Sequence, residues 1–197
     1  MKLYVIPRRN FWKTAADLQE TAKLSRRIGD EEMGNEVRWI RSYVVKEADG
    51  RLGTVCIYQA VSPEALHEHA RRVGMPADEI VPISARVIVR DDPAVFGYVI
   101  RRRNFWKTAA ELELTAARSR QVGDTEMADK VKWIRSYVVD EADHTLGTFC
   151  IYQAVSPEAI REHADRVGMP ADEIVPIVAR VVVRADPEVN EEELEAA

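Results

Sequence analysis

The chain has 197 residues, of which 31% are charged and 46% hydrophobic, and its net charge at pH 7 is −5. These proportions are typical of a globular protein in water, and the acidic balance argues against a nucleic-acid partner, whose binding surface would be basic. No apolar run reaches membrane-spanning length, and the N-terminal run is too short for a signal peptide, so we expect no membrane partner. The two cysteines occupy the same repeat position, one thiol per copy, so we expect a reducing, cytoplasmic location.

Each of the predicted elements occurs twice, because the chain is an internal duplication. The segment Phe-Trp-Lys-Thr at 11–14 returns 94 residues later at 105–108, and the offset holds without a gap over most of the chain. Two copies of one unit predict a fused pseudo-dimer. We expect repeats at residues 1–93 and 98–187 and an acidic tail at 188–197, in a monomeric pseudo-dimer or a higher homo-oligomer.

The first part of the repeat predicts a strand and a helix. Residues 4–6 read as a short strand, followed by a loop over residues 8–13 in which we interpret Arg8 and Arg9 as solvated charge. Thr14 and Asp17 form a capping box at the start of a helix that we expect to run to about Met33.

The second part predicts a hairpin and another helix. Residues 37–45 alternate like a strand, and a turn at 47–50 leads into a strand over 54–60. Ser62 and Pro63 begin a helix that Gly74 ends. A last strand over residues 80–90 completes the order βαββαβ, which is the ferredoxin-like unit. The sequence thus predicts an α+β protein of two such repeats.

His69 and His163 are the candidate metal ligands. In the second helix the copies differ in charge at 67/161 and 71/165, which marks the solvent face, and both histidines project away from it. A neutral imidazole there can bind a metal ion. It can equally be a half-buried side chain that a tyrosine hydroxyl or a backbone carbonyl satisfies. Cys56 and Cys150 are either soft ligands or small core residues.

A second candidate site lies on the strand at 37–45. Trp39, Arg41 and Tyr43 alternate with smaller residues that we expect the helices to cover. They would then wall a cavity between two sheets in which the arginine holds a carboxylate. Alternatively, they only form the interface between the halves. The full set of candidate ligand-binding residues is Trp39, Arg41, Tyr43, Tyr58, Trp133, Arg135, Tyr137 and Tyr152.

Several common kinds of site are excluded by spacing. The sequence has no CxxC or HExxH pattern and no glycine-rich phosphate loop, so we expect neither a zinc finger nor a nucleotide cofactor.

Three segments carry a resemblance to a known family. They are Trp-Ile-Arg-Ser-Tyr-Val at 39–44, Cys-Ile-Tyr at 56–58, and Glu-His-Ala at 68–70 with Gly-Met-Pro-Ala at 74–77, all repeated in the second copy. They resemble the nickel-responsive, ferredoxin-like domains of bacteria. The resemblance implies a dimeric α+β barrel and a nickel or other divalent transition-metal ion bound in the cytoplasm, with His69 and His163 as the ligands carried over.

Three functions follow as hypotheses. The first is a divalent-metal binding protein, with nickel as the candidate ion and a site in each repeat. The second is a small-molecule enzyme or sensor that uses a cavity between the two sheets, with Arg41 and Arg135 holding an anion. The third is a structural or interaction module without a ligand.

Overall fold

The secondary structure follows the order βαββαβ twice, and the computed structural model describes residues 1–93, 97–171 and 173–187. The first copy comprises β1 (Lys2–Trp12), α1 (Ala15–Arg27), β2 (Val37–Lys46), β3 (Leu52–Ala60), α2 (Pro63–Val73) and β4 (Val81–Ile88). The second comprises β5 (Tyr98–Trp106), α3 (Ala109–Gln121), β6 (Val131–Asp140), β7 (Leu146–Ala154), α4 (Pro157–Val167) and β8 (Glu173–Val182). The predicted α+β class with two ferredoxin-like halves is confirmed. The predicted acidic tail at 188–197 and the connector residues 94–96 lie outside the described residues.

The helices begin and end at the predicted caps. The Thr14 hydroxyl accepts from the amide of Asp17, and the Asp17 carboxylate accepts from the amide of Thr14. Helix α1 ends at Arg27, and a π-helical turn, Ile28–Glu32, continues it to the predicted end near Met33. Helix α2 has Ser62 as its N-cap and ends at a left-handed Gly74 with φ of 77°. No helix in the described residues is long and apolar enough to cross a membrane.

Strand β1 is longer than predicted. The expected loop over residues 8–13 is wrong, because the strand continues to Trp12. Its pairing with β3 is shifted between Arg8 and Trp12, and Asn10 takes a positive φ of 52° there. Asparagine tolerates that conformation, so the irregularity bends the strand without ending it.

The described chain forms two compact units that do not coincide with the two repeats. The first unit consists of residues 1–83 and 177–187, and the second of residues 84–176 within the described ranges. In the first unit β3 pairs with β1 and β2, β1 also pairs with the start of β4, and β2 also pairs with the end of β8. In the second unit β7 pairs with β5 and β6, and β5 also pairs with the start of β8. Each unit therefore includes strand residues from both repeats.

A β-bulge in β2 decides which side chains face the helices. Trp39 lies opposite Tyr58 and Arg41 lies opposite Ile57, so Ile40 is an extra residue in the ladder. Because the extra residue puts the alternation out of step, Trp39 and Arg41 point to opposite faces of the sheet. The bulge recurs in the second unit between Trp133 and Arg135.

In each unit the helices cover one face of the sheet and form a core with it. In the first unit, Tyr58 and Trp39 pack with Leu66 and Ala70 of α2. Tyr152 and Trp133 pack in the same way with Ile160 of α4 in the second unit. The aromatic side chains of each sheet are therefore buried on the side that the helices cover. The candidate site lies on that side.

Candidate functional site

Each unit contains a small pocket between its first helix and its sheet, which we call the helix–sheet pocket. The cavity has a volume of about 30 Å³ in both units. This is about twice the space that one water molecule needs. All four tryptophans of the chain, Trp12, Trp39, Trp106 and Trp133, line these two pockets. In the first unit the lining is Arg8, Trp12, Leu18, Thr21, Ala22, Ser25, Trp39, Ser42, Val44, Thr54, Cys56, Tyr58, Met75 and Val181.

The two linings are identical residue for residue. The second pocket is lined by Val87, Arg102, Trp106, Leu112, Thr115, Ala116, Ser119, Trp133, Ser136, Val138, Thr148, Cys150, Tyr152 and Met169. The copies differ elsewhere, for example on the solvent face of α1, where Glu20 corresponds to Leu114. The two copies have thus diverged on their surfaces, whereas the residues that line the pocket are the same in both.

A chain of hydrogen bonds runs along the sheet wall. The Trp39 indole donates to the Ser42 hydroxyl over 2.9 Å, and that hydroxyl donates to the Cys56 sulfur over 2.8 Å. The Cys56 thiol donates in turn to the Thr54 hydroxyl over 3.2 Å. All four side chains are buried. The bulge makes this chain possible, because it places Trp39 on the same face as Ser42.

Tyr58 and His69 connect the sheet wall to helix α1 through Ser25. The Tyr58 hydroxyl lies 3.2 Å from the Ser25 hydroxyl, and His69 Nε2 lies 3.1 Å from the Ser25 carbonyl oxygen. A carbonyl oxygen only accepts, so Nε2 carries the proton and donates. The Ser25 carbonyl lies in the last turn of α1, just before the π-helical turn, and Gly29 of that turn lies beside the imidazole.

Burial shifts the titration of both side chains. It lowers the pKa of His69, and the charge of Arg8 acts in the same direction. Burial also raises the pKa of Tyr58 to about 12, although the charge of Arg8 opposes this. The counterparts His163 and Tyr152 shift in the same directions. At neutral pH the phenol that lines each pocket is therefore protonated, and the imidazole that lies beyond it is neutral.

Arg8 is the charged group of the pocket. Strand β1 places it on the helix side, opposite Thr54, and the residue is only 1% exposed. Its Nε donates to the Pro76 carbonyl over 2.7 Å, and its guanidinium carbon lies 5.8 Å from the centre of the Tyr58 ring. Its two terminal nitrogens have no hydrogen-bond partner among the described residues. The interpretation of Arg8 as solvated charge is wrong.

The predicted site residues divide between the two faces of the sheet. Trp39 and Tyr58 line the helix–sheet pocket, with rings stacked 6.3 Å apart. Arg41 and Tyr43 point to the opposite face, and both are buried. The prediction that Trp39 and Tyr58 share one cavity with Arg41 and Tyr43 is therefore wrong, because the bulge turns Trp39 away and Tyr58 pairs with it. In the second unit Trp133 and Tyr152 are separated from Arg135 and Tyr137 in the same way.

Arg41 already holds a carboxylate of the chain. Its Nη2 lies 2.6 Å from an Asp186 oxygen, in an ion pair whose side chains are 5% and 15% exposed. Arg135 and Asp92 form the equivalent pair at 3.1 Å. The sequence analysis predicts that these arginines hold the anion of a ligand, whereas the structure pairs them with carboxylates of the protein itself.

The residues around His69 and His163 do not fit a nickel site. Each imidazole is 1% exposed and uses its Nε2 on a backbone carbonyl. In the described residues, no group of three or more His, Cys, Asp or Glu side chains could hold a metal ion. Cys56 and Cys150 are buried and bonded to hydroxyls. Both histidines thus match the alternative in which a backbone carbonyl satisfies the ring.

The sequence analysis did not assign Arg8, Trp12 or Ser25, or their copies, to a candidate site. A usable signal was present for Arg8, since Tyr4, Ile6 and Arg8 alternate along one strand face. Extending the strand by two residues would have placed the arginine beside the core.

These features define a tandem α+β protein in which each ferredoxin-like half has a helix–sheet pocket. The model of the nickel-responsive SCO4226-like proteins matches residues 4–83 and 98–177. The chain therefore belongs to the family of nickel-responsive proteins of the SCO4226-like type, and the resemblance predicted from the sequence is confirmed.

Other comparisons find distant similarities of fold. A chlorite dismutase variant from Candidatus Nitrospira defluvii is 8% identical, with 90% of each chain covered and a TM-score of 0.48. A haem-binding protein from Thermus thermophilus is 13% identical, with 98% of this chain and 92% of the other covered and a TM-score of 0.40. We draw no functional conclusion from them. No curated protein matches the chain in sequence.

Proposed function

We propose that this protein binds a small molecule in each of its two helix–sheet pockets and acts as a binding protein or sensor in the bacterial cytoplasm. The observation that carries the proposal is the identical lining of the two pockets, which combines two tryptophans, a tyrosine, hydroxyls, a thiol and a guanidinium. A few convergent polar groups in an apolar wall are the usual composition of a ligand site. The unpaired thiols fit a reducing compartment.

The volume of the pocket limits the ligand. A cavity of about 30 Å³ accepts a group of a few non-hydrogen atoms without repacking. Ligands of that size include short carboxylic acids, amides and alcohols. A larger ligand would have to extend out of the pocket along the boundary between α1 and the sheet.

Tryptophan fluorescence tests the proposal directly, because every tryptophan of the chain lines a pocket. The probes are two- to four-carbon acids, amides and alcohols, and we expect at least one class to change the emission and raise the melting temperature. Ala22→Val/Ala116→Val fills both pockets and should abolish the response. Ala16→Val/Ala110→Val places the same change on exposed positions of the same helices and should retain it. An unchanged response in the pocket-filling variant would contradict the proposal.

Direct nickel binding through His69 and His163 is the second candidate, and the family description favours it. Calorimetry with Ni²⁺ distinguishes the two candidates. We expect the wild type and His69→Gln/His163→Gln to give equal heats, because each ring is buried and bonded to a carbonyl. The exposed pair His67→Gln/His144→Gln is the matched control. Heats lost only in the buried pair would establish nickel binding in place of our proposal.

A further inference from the structure

We propose that Arg8 and Arg102 each bind the anionic group of the small ligand, and that this group is a carboxylate or an oxyanion of similar size. The inference depends on the proposed function, since it names the chemical class of the molecule that the helix–sheet pockets accept. It requires one anion per pocket and two per chain.

The terminal nitrogens of Arg8 have no counter-ion within hydrogen-bond distance in the part of the chain that the structure describes. Arg8 is 1% exposed, and in the described residues its two terminal nitrogens have no hydrogen-bond partner. A guanidinium removed from water without a partner carries a large desolvation penalty. The neighbouring Arg9 does not share this problem, because its Nε lies 2.6 Å from a Glu47 oxygen.

A second arginine of the same unit shows what a completed pair looks like. Arg41 is 5% exposed, nearly as buried as Arg8, and it has the carboxylate of Asp186 at 2.6 Å. The fold therefore supplies a carboxylate where a buried guanidinium has only a structural role. Arg8 differs in two respects: it lines the helix–sheet pocket, and its terminal nitrogens have no hydrogen-bond partner among the described residues.

The contacts of Arg8 leave the two terminal nitrogens of its guanidinium without a hydrogen-bond partner in the described residues. The Pro76 carbonyl holds Nε and the Tyr58 ring lies beside the guanidinium carbon, so the side chain is fixed. The two terminal N–H groups form the fork that binds carboxylates in a bidentate manner. A group of three heavy atoms, such as a carboxylate, is comparable with the cavity of about 30 Å³.

The second unit reproduces the arrangement with its own residues. Arg102 is 1% exposed, its Nε donates to the Pro170 carbonyl over 2.7 Å, and its Nη2 has no partner in the described chain. Its guanidinium carbon lies 5.9 Å from the centre of the Tyr152 ring. At least one terminal nitrogen of this buried guanidinium therefore lacks a partner in the described residues of both repeats.

The experiment compares carboxylates with their uncharged amides on the full chain. Formate, acetate, propionate and benzoate are each matched with the corresponding amide, in a buffer without other small oxyanions. The readouts are melting temperature and tryptophan fluorescence. We expect the acids to raise the melting temperature, the amides to have little effect, and the titration to give two sites per chain. The largest acid that binds reports the usable space.

Variants assign the effect to the arginines. Arg8→Met/Arg102→Met should weaken carboxylate binding by about 30-fold or more, as expected for loss of one partner of a buried charged pair. Arg8→Met alone should reduce the stoichiometry from two to one while the other unit serves as an internal reference. Arg8→Lys/Arg102→Lys should recover binding only in part, because lysine lacks the fork. Arg9→Met/Arg103→Met, on the adjacent strand position, should retain the response.

Each outcome separates the two proposals. Amides that bind as tightly as acids, or acids that bind equally to Arg8→Met/Arg102→Met, would overturn the anion inference and leave ligand binding intact. Failure of every acid would overturn the anion inference, and failure of the amides and alcohols as well would overturn both proposals. If the methionine variant does not fold, the comparison of acids with amides on the wild type and the lysine variant decides the question.

Discussion

Arg41 and Asp186 form a buried ion pair between residues of different repeats within one compact unit. The atoms Nη2 and Oδ2 lie 2.6 Å apart, with Arg41 on β2 and Asp186 four residues beyond the end of β8. Arg135 and Asp92 repeat the pair in the second unit. Each unit thus neutralises a buried guanidinium with a carboxylate from the other repeat.

We expect Arg41→Met to lower the free energy of unfolding by about 3–5 kcal/mol, because it removes the guanidinium that pairs with the largely buried Asp186 carboxylate. Arg41→Met/Asp186→Leu removes both charges and should regain most of that loss. Urea unfolding followed by circular dichroism measures both variants. A double variant no more stable than the single one would show that packing, and not charge, dominates at this position.

For Arg8, in contrast to Arg41, we expect substitution by methionine to have little effect on the free energy of unfolding. In buffer without small oxyanions, Arg8→Met should change the free energy of unfolding by no more than about 1 kcal/mol. The variant loses one hydrogen bond to Pro76 but also an unpaired buried charge. The same urea experiment applies. A loss as large as that of Arg41→Met would mean that Arg8 has a structural counter-charge in the unliganded protein.

Stability should fall below pH 6.5 because of the buried histidines. The pKa of His69 is lowered from 6.5 by burial, so the unfolded state binds more protons than the folded state once the pH drops below that value. The stabilisation is complete above pH 6.5 and is lost as the pH falls toward the lowered pKa, by up to about 1.4 kcal/mol per pH unit for each histidine. Unfolding midpoints from pH 8 to pH 5 test this.

The matched variants isolate the histidine contribution from that of the carboxylates. His69→Gln/His163→Gln should flatten the profile between pH 7 and pH 5, whereas the exposed pair His67→Gln/His144→Gln should not. Parallel profiles for all three proteins would show that other groups cause the loss.

Gly53 should be intolerant of any side chain. A Cβ there would lie 2.5 Å from the Arg8 carbonyl oxygen and 2.7 Å from a Glu47 oxygen, so one of them would have to move. We expect Gly53→Ala to cost about 1–3 kcal/mol. Gly29→Ala is the control, because its Cβ would meet His69 Nε2 at an ordinary 3.6 Å and alanine favours a helix. Equal stability of the two variants would show that the β1–β3 pair relaxes freely.

Much of the fold was predictable because it depends on local signals. The caps at Thr14 and Ser62, the C-cap at Gly74 and the order βαββαβ all follow from residues close in sequence. The bulge at Ile40 was not predictable, since an extra residue between two buried strands leaves no mark in hydrophobic alternation. One undetected residue was enough to place Trp39 on the wrong face.

The sequence indicated some of the residues of the candidate site, but not how those residues are arranged in the fold. Trp39 and Tyr58 line a pocket, but it is the helix–sheet pocket and not the predicted cavity between two sheets, and Arg41 pairs with a carboxylate of the chain and not with a ligand. That Asp186 supplies this carboxylate depends on strand pairing between residues more than 130 positions apart, which no local pattern encodes. Arg8 was missed because a charged residue at the end of a strand resembles a loop residue.

The sharing of β4 and β8 between the compact units makes the repeats mutually dependent. A polypeptide carrying residues 1–93 alone would lack the edge that completes β2 and the acid that neutralises Arg41, and the remaining half would lack their equivalents. Each of the two fragments, made separately, carries the strand edge and the acidic residue that the other fragment lacks. They should therefore reassemble by complementation, as two copies of a single-repeat ancestor would have done before gene fusion.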